Sequence, residues 1–280
     1  MGFIIHHRIK PKKPLYKKLW FWFFLLFLTL SSTVVYFLFF CPNFQVKNIE
    51  IFGNTEVSSE DLYDTLMQCS HTGLMNLWNI KLASDSIFLV DANDVASQVL
   101  NKFPEIEIAL LTKKFPQTLI INVKEREPIG TFCDPVSQKC FLIDKKGIAF
   151  QVQDKSALSG TIVRQTELDF TASVVDLGKA AILEQNAENI YKIQNFLKEQ
   201  FDIVIKDFNI RSAMRLDART SQGWHVYFLR GDDDVINLQL EKIGILLERE
   251  IAPERRANLR YIDLRPKDRA IICDNQACAD

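Results

Sequence analysis

The sequence predicts an α+β protein. An N-terminal transmembrane helix leads into a compact β-α-α-β-β unit, and a mixed β-domain with flanking helices follows. Three observations carry this reading. Residues 19–40 are an unbroken apolar run. Residues 44–128 place two capped helical stretches among runs that alternate apolar and polar residues. Residues 129–273 hold several short β-like runs and two helical apolar stripes.

The apolar run reads LWFWFFLLFLTLSSTVVYFLFF, Leu19 to Phe40. It holds no charge, and only Thr29, Ser31, Ser32 and Thr33 interrupt it. As a helix it covers roughly 33 Å, enough for a hydrocarbon core of about 30 Å. In lipid the backbone must satisfy itself, which selects a helix. Trp20, Trp22 and Tyr36 stand near its ends, at the headgroup level that aromatic rings prefer. A buried core helix is the alternative, and the length and lack of charge argue against it.

The flanks set an orientation. Arg8, Lys10, Lys12, Lys13, Lys17 and Lys18 precede the run, whereas only Lys47 follows it up to Asn54. The positive side stays inside, so residues 1–18 are expected as a cytoplasmic tail and everything after Phe40 outside. A cleaved signal peptide normally has a shorter apolar region and a small-x-small cleavage site. Here the run ends in Tyr-Phe-Leu-Phe-Phe-Cys-Pro, which favours an uncleaved single-span anchor.

Roughly 240 residues remain beyond the span, a length that suits two domains. The formal net charge is −1, so no basic excess points to nucleic acid. Of six cysteines, Cys41 lies at the membrane edge, and Cys69, Cys133, Cys140, Cys273 and Cys278 fall on the outer side. That compartment permits disulfides. Cys133 and Cys140 flank the turn-like Asp-Pro-Val-Ser-Gln-Lys and are placed to cross-link a hairpin, for about 2–3 kcal/mol on the chain-entropy account. Cys273 with Cys278 is a similar pair. Free buried thiols are the alternative for both. No histidine stands near either pair, which argues against zinc.

Along the chain, Ile49 and Ile51 alternate in a strand, and Gly53-Asn54 turns it. Ser58 with Asp61 resembles a capping box for a helix carrying Leu62 and Leu66. His71-Thr-Gly breaks that helix, and Asn76 to Ile80 is a connection or short strand. Asp91 with Asp94 caps a second helix through Val95, Val99 and Leu100, ended by Phe103-Pro104. Ile106, Ile108 and Leu110 alternate along one strand, and Leu119, Ile121 and Val123 along the next, around a Phe115-Pro-Gln-Thr turn. Beyond residue 129, Cys140 to Phe150 reads as two short strands about an Asp-Lys-Lys-Gly turn. Ile190, Ile193 and Leu197 mark a helix. Asp207–Ile210, Met214–Ala218 and Trp224–Leu229 are β-like. Ile236, Leu240, Ile243 and Leu247 stripe a second helix stopped by Pro253. Asp232, Asp233 and Asp234 read as a solvated turn capping that helix, because the spacing of a calcium loop is absent.

At Phe103 to Gly130 the stretch FPEIEIALLTKKFPQTLIINVKEREPIG resembles the end of a POTRA domain of the FtsQ/DivIB cell-division family. The matching pieces are Pro104, Lys114-Phe-Pro-Gln-Thr-Leu119, and Val123-Lys-Glu-Arg-Glu-Pro128. VKNIEIFGN, Val46 to Asn54, resembles the opening strand. The "LID-x-x-G" hairpin of the family's β-domain has its counterpart at Leu142 to Gly147, and its closing "Y-I/V-D-L-R" at Tyr261 to Arg265. Leu158-Ser-Gly-Thr-Ile resembles an "LP-x-x-G" element with Ser159 in place of Pro, and Pro266 stands where an aromatic is common. Residues 151–185 match poorly. On their own chemistry, Pro116 and Thr118 shape a turn, and Glu125 and Arg126 end a strand with charge.

The resemblance implies a POTRA domain over 44–128, a β-domain over 129–273 and a tail over 274–280. It implies a non-enzymatic scaffold of the bacterial septal division complex. Small single-span division proteins (FtsB- and FtsL-like) and the septal peptidoglycan synthase complex would be its partners. It puts partner binding just after the Tyr-Ile-Asp-Leu-Arg strand, at Arg269, Ala270, Ile271, Ile272 and Cys273. If Arg265 to Asp268 turns, this segment is a final strand at a sheet edge, offering backbone groups to an added strand. Ala270 and Ile272 would then set specificity, and Lys267, Asp268 and Arg269 would select a charged partner. An ordinary edge strand guarded by those charges is the alternative.

No catalytic, cofactor or metal constellation is legible. Gly-x-Ser-x-Gly, His-Glu-x-x-His and P-loop patterns are absent. Of four histidines, His6 and His7 lie in the tail, His71 in a turn and His225 in a strand. An envelope POTRA protein assisting outer-membrane or secreted polypeptides is one rival reading, and a membrane-anchored hydrolase is another.

Overall fold

The computed structural model describes residues 19–70, 72–77, 80–155, 160–166 and 174–274. The expected tail 1–18, with His6 and His7, therefore lies outside the described residues. So do His71, Leu158-Ser159 and Cys278. The backbone packs into two units. The first holds Met1–Asn54, Ser58–Val99 and Ala109–Val123; the second holds Thr55–Val57, Leu100–Ile108 and Lys124–Asp280.

The first unit begins with α1 (Leu19–Phe40), a helix of 22 residues with none buried. Thr29 and Thr33 turn their hydroxyls back onto the carbonyls of Leu26 and Thr29, both at 2.9 Å. These two hydroxyls are thus satisfied inside the helix. A short 3-10 turn, Pro42–Phe44, follows directly. Ser86, fully buried, donates its hydroxyl to the carbonyl of Leu38 at 3.0 Å. Ile87 N–H bonds the carbonyl of Phe44 at 2.8 Å. The last turn of the helix is therefore held by the domain that follows it.

That domain continues as β1 (Asn48–Phe52), α2 (Ser59–Ser70), the antiparallel pair β2 (Thr72–Leu77) and β3 (Ile80–Ser84), α3 (Ala92–Lys102), β4 (Ile106–Lys114) and β5 (Thr118–Glu125). Its three-stranded sheet runs β1-β5-β4, with β1 parallel to β5. Parallel neighbours need a long crossover, which the helices supply. Leu62 and Leu66 from α2, Val95 and Val99 from α3, and Leu119 and Ile121 from β5 are buried. Removing a side chain such as Leu62 from this core costs about 2–5 kcal/mol. Ser58 Oγ accepts Asp61 N–H, and Asp91 caps α3 by accepting Asn93 N–H at 2.9 Å. Gly53 turns β1 with φ +87°, where an added Cβ would sit 2.1 Å from the carbonyl oxygen of Val123.

One strand differs from its expected pattern. Ile106 is buried, but Ile108 and Leu110 are 42% and 61% exposed, while Ala109 and Leu111 face inward. The side-chain parity changes between Ile106 and Ala109, and such a slip of one residue sends a strand's apolar set to the other face.

The second unit is built on one nine-stranded sheet, β14-β13-β12-β11-β10-β9-β6-β7-β8. In chain order these are β6 (Gly130–Cys133), β7 (Cys140–Ile143), β8 (Ala149–Gln153), β9 (Ile162–Gln165), β10 (Ile205–Ser212), β11 (Arg215–Thr220), β12 (His225–Leu229), β13 (Leu259–Asp263) and β14 (Ile271–Asp274). Helix α4 (Glu184–Phe201) crosses from β9 to its parallel neighbour β10, and α5 (Asp233–Arg249) from β12 to its parallel neighbour β13. A four-residue α6 (Pro253–Arg256) precedes β13. Ile190, Ile193 and Leu197 of α4 and Ile236, Ile243 and Leu247 of α5 share one core with Phe208, Trp224, Val226 and Phe228. Asp232 caps α5 by accepting Val235 N–H at 3.1 Å.

Strands β6 and β9 are additions to the sequence reading. Gly130 of β6 lies so close to its neighbour that a Cβ would be 2.6 Å from the carbonyl oxygen of Thr161. Cys133 and Cys140 face each other across β6 and β7 and are joined by a disulfide. Asp134 shapes the turn between them, accepting the N–H groups of Val136 and Ser137 at 3.0 and 3.1 Å.

Two charged residues tie loops within this unit. The Glu125 carboxylate accepts the N–H groups of Thr55, Glu56 and Val57 at 2.8–3.1 Å. Arg126 donates to the carbonyl of Pro104 at 2.9 Å and pairs with buried Asp144. Asp144 also accepts Lys146 and Ile148 N–H, both at 2.9 Å, closing the Asp-Lys-Lys-Gly turn.

Partial burial raises the Glu125 pKa, but the N–H groups of Val57, Thr55 and Glu56 outweigh it and hold the carboxyl below its ordinary value. Glu125→Ala is expected to lower stability by about 1–2 kcal/mol at neutral pH. Because the folded pKa is lowered, the contribution of the charge is complete above the unfolded pKa. It is lost as pH falls through the folded one. Melting curves of the two proteins should converge in acid; an undiminished gap there would contradict a role for the charge.

Candidate partner-binding site

The site is assembled by cross-strand register in the second unit. Strand β12 lies between β11 and β13, and β14 ends the sheet beside β13. Paired positions run Arg164, Asn209, Asp217, Tyr227, Asp263 and Ile271 across six strands. Residues paired in register stand on the same face. This face is opposite the helices, because Val226, Phe228 and Ile262 turn the other way into the core.

Tyr227 is the centre of the row. The guanidinium carbon of Arg215 lies 4.5 Å from its ring centroid and that of Arg265 5.6 Å. The Tyr261 ring is 5.3 Å away. Each arginine is aimed by a carboxylate. Asp263 accepts both Nε and Nη2 of Arg265, at 2.8 and 2.6 Å, together with its backbone N–H at 3.0 Å. Asp217 accepts Arg215 at 2.7 and 3.1 Å and Arg211 at 3.1 Å. Paired, planar hydrogen bonds fix both guanidinium planes. Burial raises the pKa of Asp263, but the bonds from Arg265 and the positive charges of Arg265 and Arg215 pull it below its ordinary value. The bond to Asp263 raises that of Arg265 in turn.

The structure places the residues expected from sequence to bind a partner in β14 and the connection just before it, and not all of them on the outward face. Strand β14 begins at Ile271, so Lys267, Asp268, Arg269 and Ala270 belong to the connection before it. The first three are exposed. Lys242 of α5 holds this connection through the carbonyls of Pro266 and Lys267 at 2.8 and 2.5 Å. Ala270 and Ile272, expected to read a partner, instead pack against the core. Ile271, 42% exposed, carries the outward face, since its partner in register is Asp263 rather than Ile262. Cys273 is buried and disulfide-bonded, and Cys278, its expected partner, lies outside the described residues.

Beside the edge is a hollow of about 500 Å³, lined by Ile251, Arg255, Leu259, Ile272 and Asp274 among others. The opposite edge of the sheet is covered at its start, where Ala149 bonds Lys179 and Gly178 on either side of its peptide. Among the described residues no three His, Cys, Asp or Glu side chains cluster as metal ligands do. His225 is half-buried in β12, its ring 6.3 Å from Tyr227.

Sequence reasoning missed Arg211, Arg215, Asp217 and Tyr227. Their local signal is the alternation Arg215-x-Asp217-x-Arg219 and His225-x-Tyr227. Their meeting depends on pairing between strands that are distant in sequence.

Residues 44–126 match the family described as "POTRA domain, FtsQ-type". The chain is similar to the cell division protein DivIB of Clostridium botulinum strain Loch Maree, 27% identical over 260 residues. That match covers 92% of this chain and 91% of the relative. The DivIB of strain Hall is 26% identical over 265 residues, with the same coverage. The chain is similar to the FtsQ/DivIB family along nearly its whole length. It is thus a division-related POTRA protein, and its matches extend through the large sheet. In this chain the charges of the motifs that resemble the family's have structural partners: Glu125 with the 55–57 loop, Arg126 with Asp144, and Arg265 with Asp263. Its α1 is long and apolar enough to cross a membrane.

Proposed function

We propose that this chain is a non-enzymatic, single-span scaffold of the bacterial septal division complex. Its POTRA domain would occupy 44–128, its β-domain 129–273, with a tail at 274–280. Residues 1–18 are cytoplasmic in this reading, and the two domains lie outside the cytoplasmic membrane at the division site. The asymmetry of Lys and Arg about α1 supports that orientation. Protease added from outside should digest the β-domain and spare residues 1–18; cleavage only from the cytoplasmic side would reverse the topology.

The partners are small single-span division proteins of the FtsB and FtsL type, and through them the septal peptidoglycan synthase. The observation that carries the reading is the position of β14, the last strand of a sheet whose face next to it is a row of fixed arginines and tyrosines. A partner segment added to β14 gains backbone hydrogen bonds there, and Ile271 with the Arg265–Tyr227 pair reads its side chains. Lys267, Asp268 and Arg269 supply charge at the start of the edge. The similarity to DivIB over the large sheet favours this reading over an outer-membrane assembly factor. It also weighs against a hydrolase.

Successive N–H groups of an antiparallel strand point to opposite sides. Ile271→Pro and Ile272→Pro therefore remove one inward and one outward donor. In the full chain, the less destabilised variant is expected to bind the small single-span proteins about 10–100-fold more weakly. If that variant stays folded and binds as the wild type does, β14 is not the docking edge.

A further inference from the structure

A line of aromatic rings leaves the end of the span. The Phe37 ring, in the last turn of α1, lies 5.8 Å from Phe44 in the 3-10 turn. Phe44 lies 5.3 Å from Phe88, and Phe88 lies 5.2 Å from Phe115 at the tip of the β4–β5 hairpin. Core aromatics would be covered, but Phe88 and Phe115 are 41% and 55% exposed. Lysines surround them. The Lys113 ammonium donates to the carbonyl of Phe88 at 3.4 Å. Lys114, beside Phe115, is largely exposed and pairs with Glu50 at 3.3 Å. Lys47, also exposed, bonds through its N–H to the carbonyl of Gln117 in the same hairpin turn.

Nothing separates these groups from the span. The chain passes from Phe40 to the Pro42–Phe44 turn without a linker, and Ser86, two residues before Phe88, bonds the carbonyl of Leu38 inside α1. Apolar rings with lysines around them are the composition of a membrane-interface contact. The rings enter the boundary of the acyl chains, while the ammonium groups stay with the phosphates. We infer that Phe88 and Phe115 dip into the lipid headgroup layer on the side where α1 ends, so that the POTRA domain lies on the bilayer rather than standing off it. The occupant of this surface is phospholipid. The inference rests on α1 being a membrane anchor and is independent of the β14 site.

The test places the photo-crosslinking residue p-benzoylphenylalanine at Phe88, Phe115, Leu26 and Met214, one at a time, in the full chain. The membranes are those of producing cells, and nanodiscs of phosphatidylethanolamine and phosphatidylglycerol. Leu26 is mid-span, and Met214 is an exposed position on the second unit. Phospholipid adducts at Phe88 and Phe115 as well as Leu26, with none at Met214, are the expected result. Adducts at Leu26 but not at Phe88 or Phe115 would overturn the inference and leave the anchor intact. Adducts of Phe88 and Phe115 to another polypeptide in place of lipid would overturn it too, in favour of a protein contact. Loss of the Leu26 adduct would remove the anchor itself and this inference with it.

Discussion

Parallel neighbours in a sheet cannot be joined by a tight turn, and that constraint arranges the larger unit of this protein. It is met three times: by α4 between β9 and β10, by α5 between β12 and β13, and by the stretch carrying β7 and β8 between β6 and β9. Both helices bury their stripes in one core on one face of the sheet. The other face has no helix from these crossovers, and its paired positions carry Asn209, Asp217, Tyr227 and Asp263. After the α5 crossover the chain has β13 in place and turns back once, so β14 closes the sequence of strands as an edge. The position of the edge and the character of the face beside it thus follow from the two helical connections. An edge strand is a liability unless a partner or a guard covers it.

The charged residues of the family's motifs act mainly by ordering backbone. Glu125 gathers three N–H groups of one loop, and Asp144 joins a turn to Arg126. Asp263 does the same for Arg265 and so presents a guanidinium at a fixed angle to Tyr227. Such bonds combine charge with geometry, and each is worth more than a surface ion pair because the carboxylate is partly withdrawn from water. The proposed scaffold role would gain from this rigidity, since a pre-formed docking surface spends little of its binding energy on ordering itself.

Local features were the legible ones. The span is long and uncharged, and Ile190, Ile193 and Leu197, or Ile236, Leu240, Ile243 and Leu247, repeat at the period of a helix. The caps at Ser58, Asp91 and Asp232 follow from side chains placed beside their own backbone. Strands β10 to β12 were visible as β-like runs and β13 through the family resemblance, and the pairing of Cys133 with Cys140 suited a short hairpin. Features that depend on distant segments were not legible. Strand β9 has four residues and acquires its place only between β6 and β10. In β4 the burial of Ala109 and Leu111 instead of Ile108 and Leu110 comes from a change of parity that composition does not signal. Ala270 and Ile272 were assigned outward because the start of β14 decides which residues face the core. The row through Tyr227 exists only once the register of six strands is set.

The central claim is that β14 receives the partner as an added strand. Amide hydrogen exchange of the full chain, with and without the extracytoplasmic segment of a small single-span division protein, measures this at single-strand resolution. Added backbone bonds slow exchange only where they form. The account expects new protection at whichever of the Ile271 and Ile272 amides points away from β13, smaller changes around Arg265 and Tyr227, and none at β8 on the opposite edge. Saturated binding that leaves β14 unprotected, or that protects β8 instead, would contradict it.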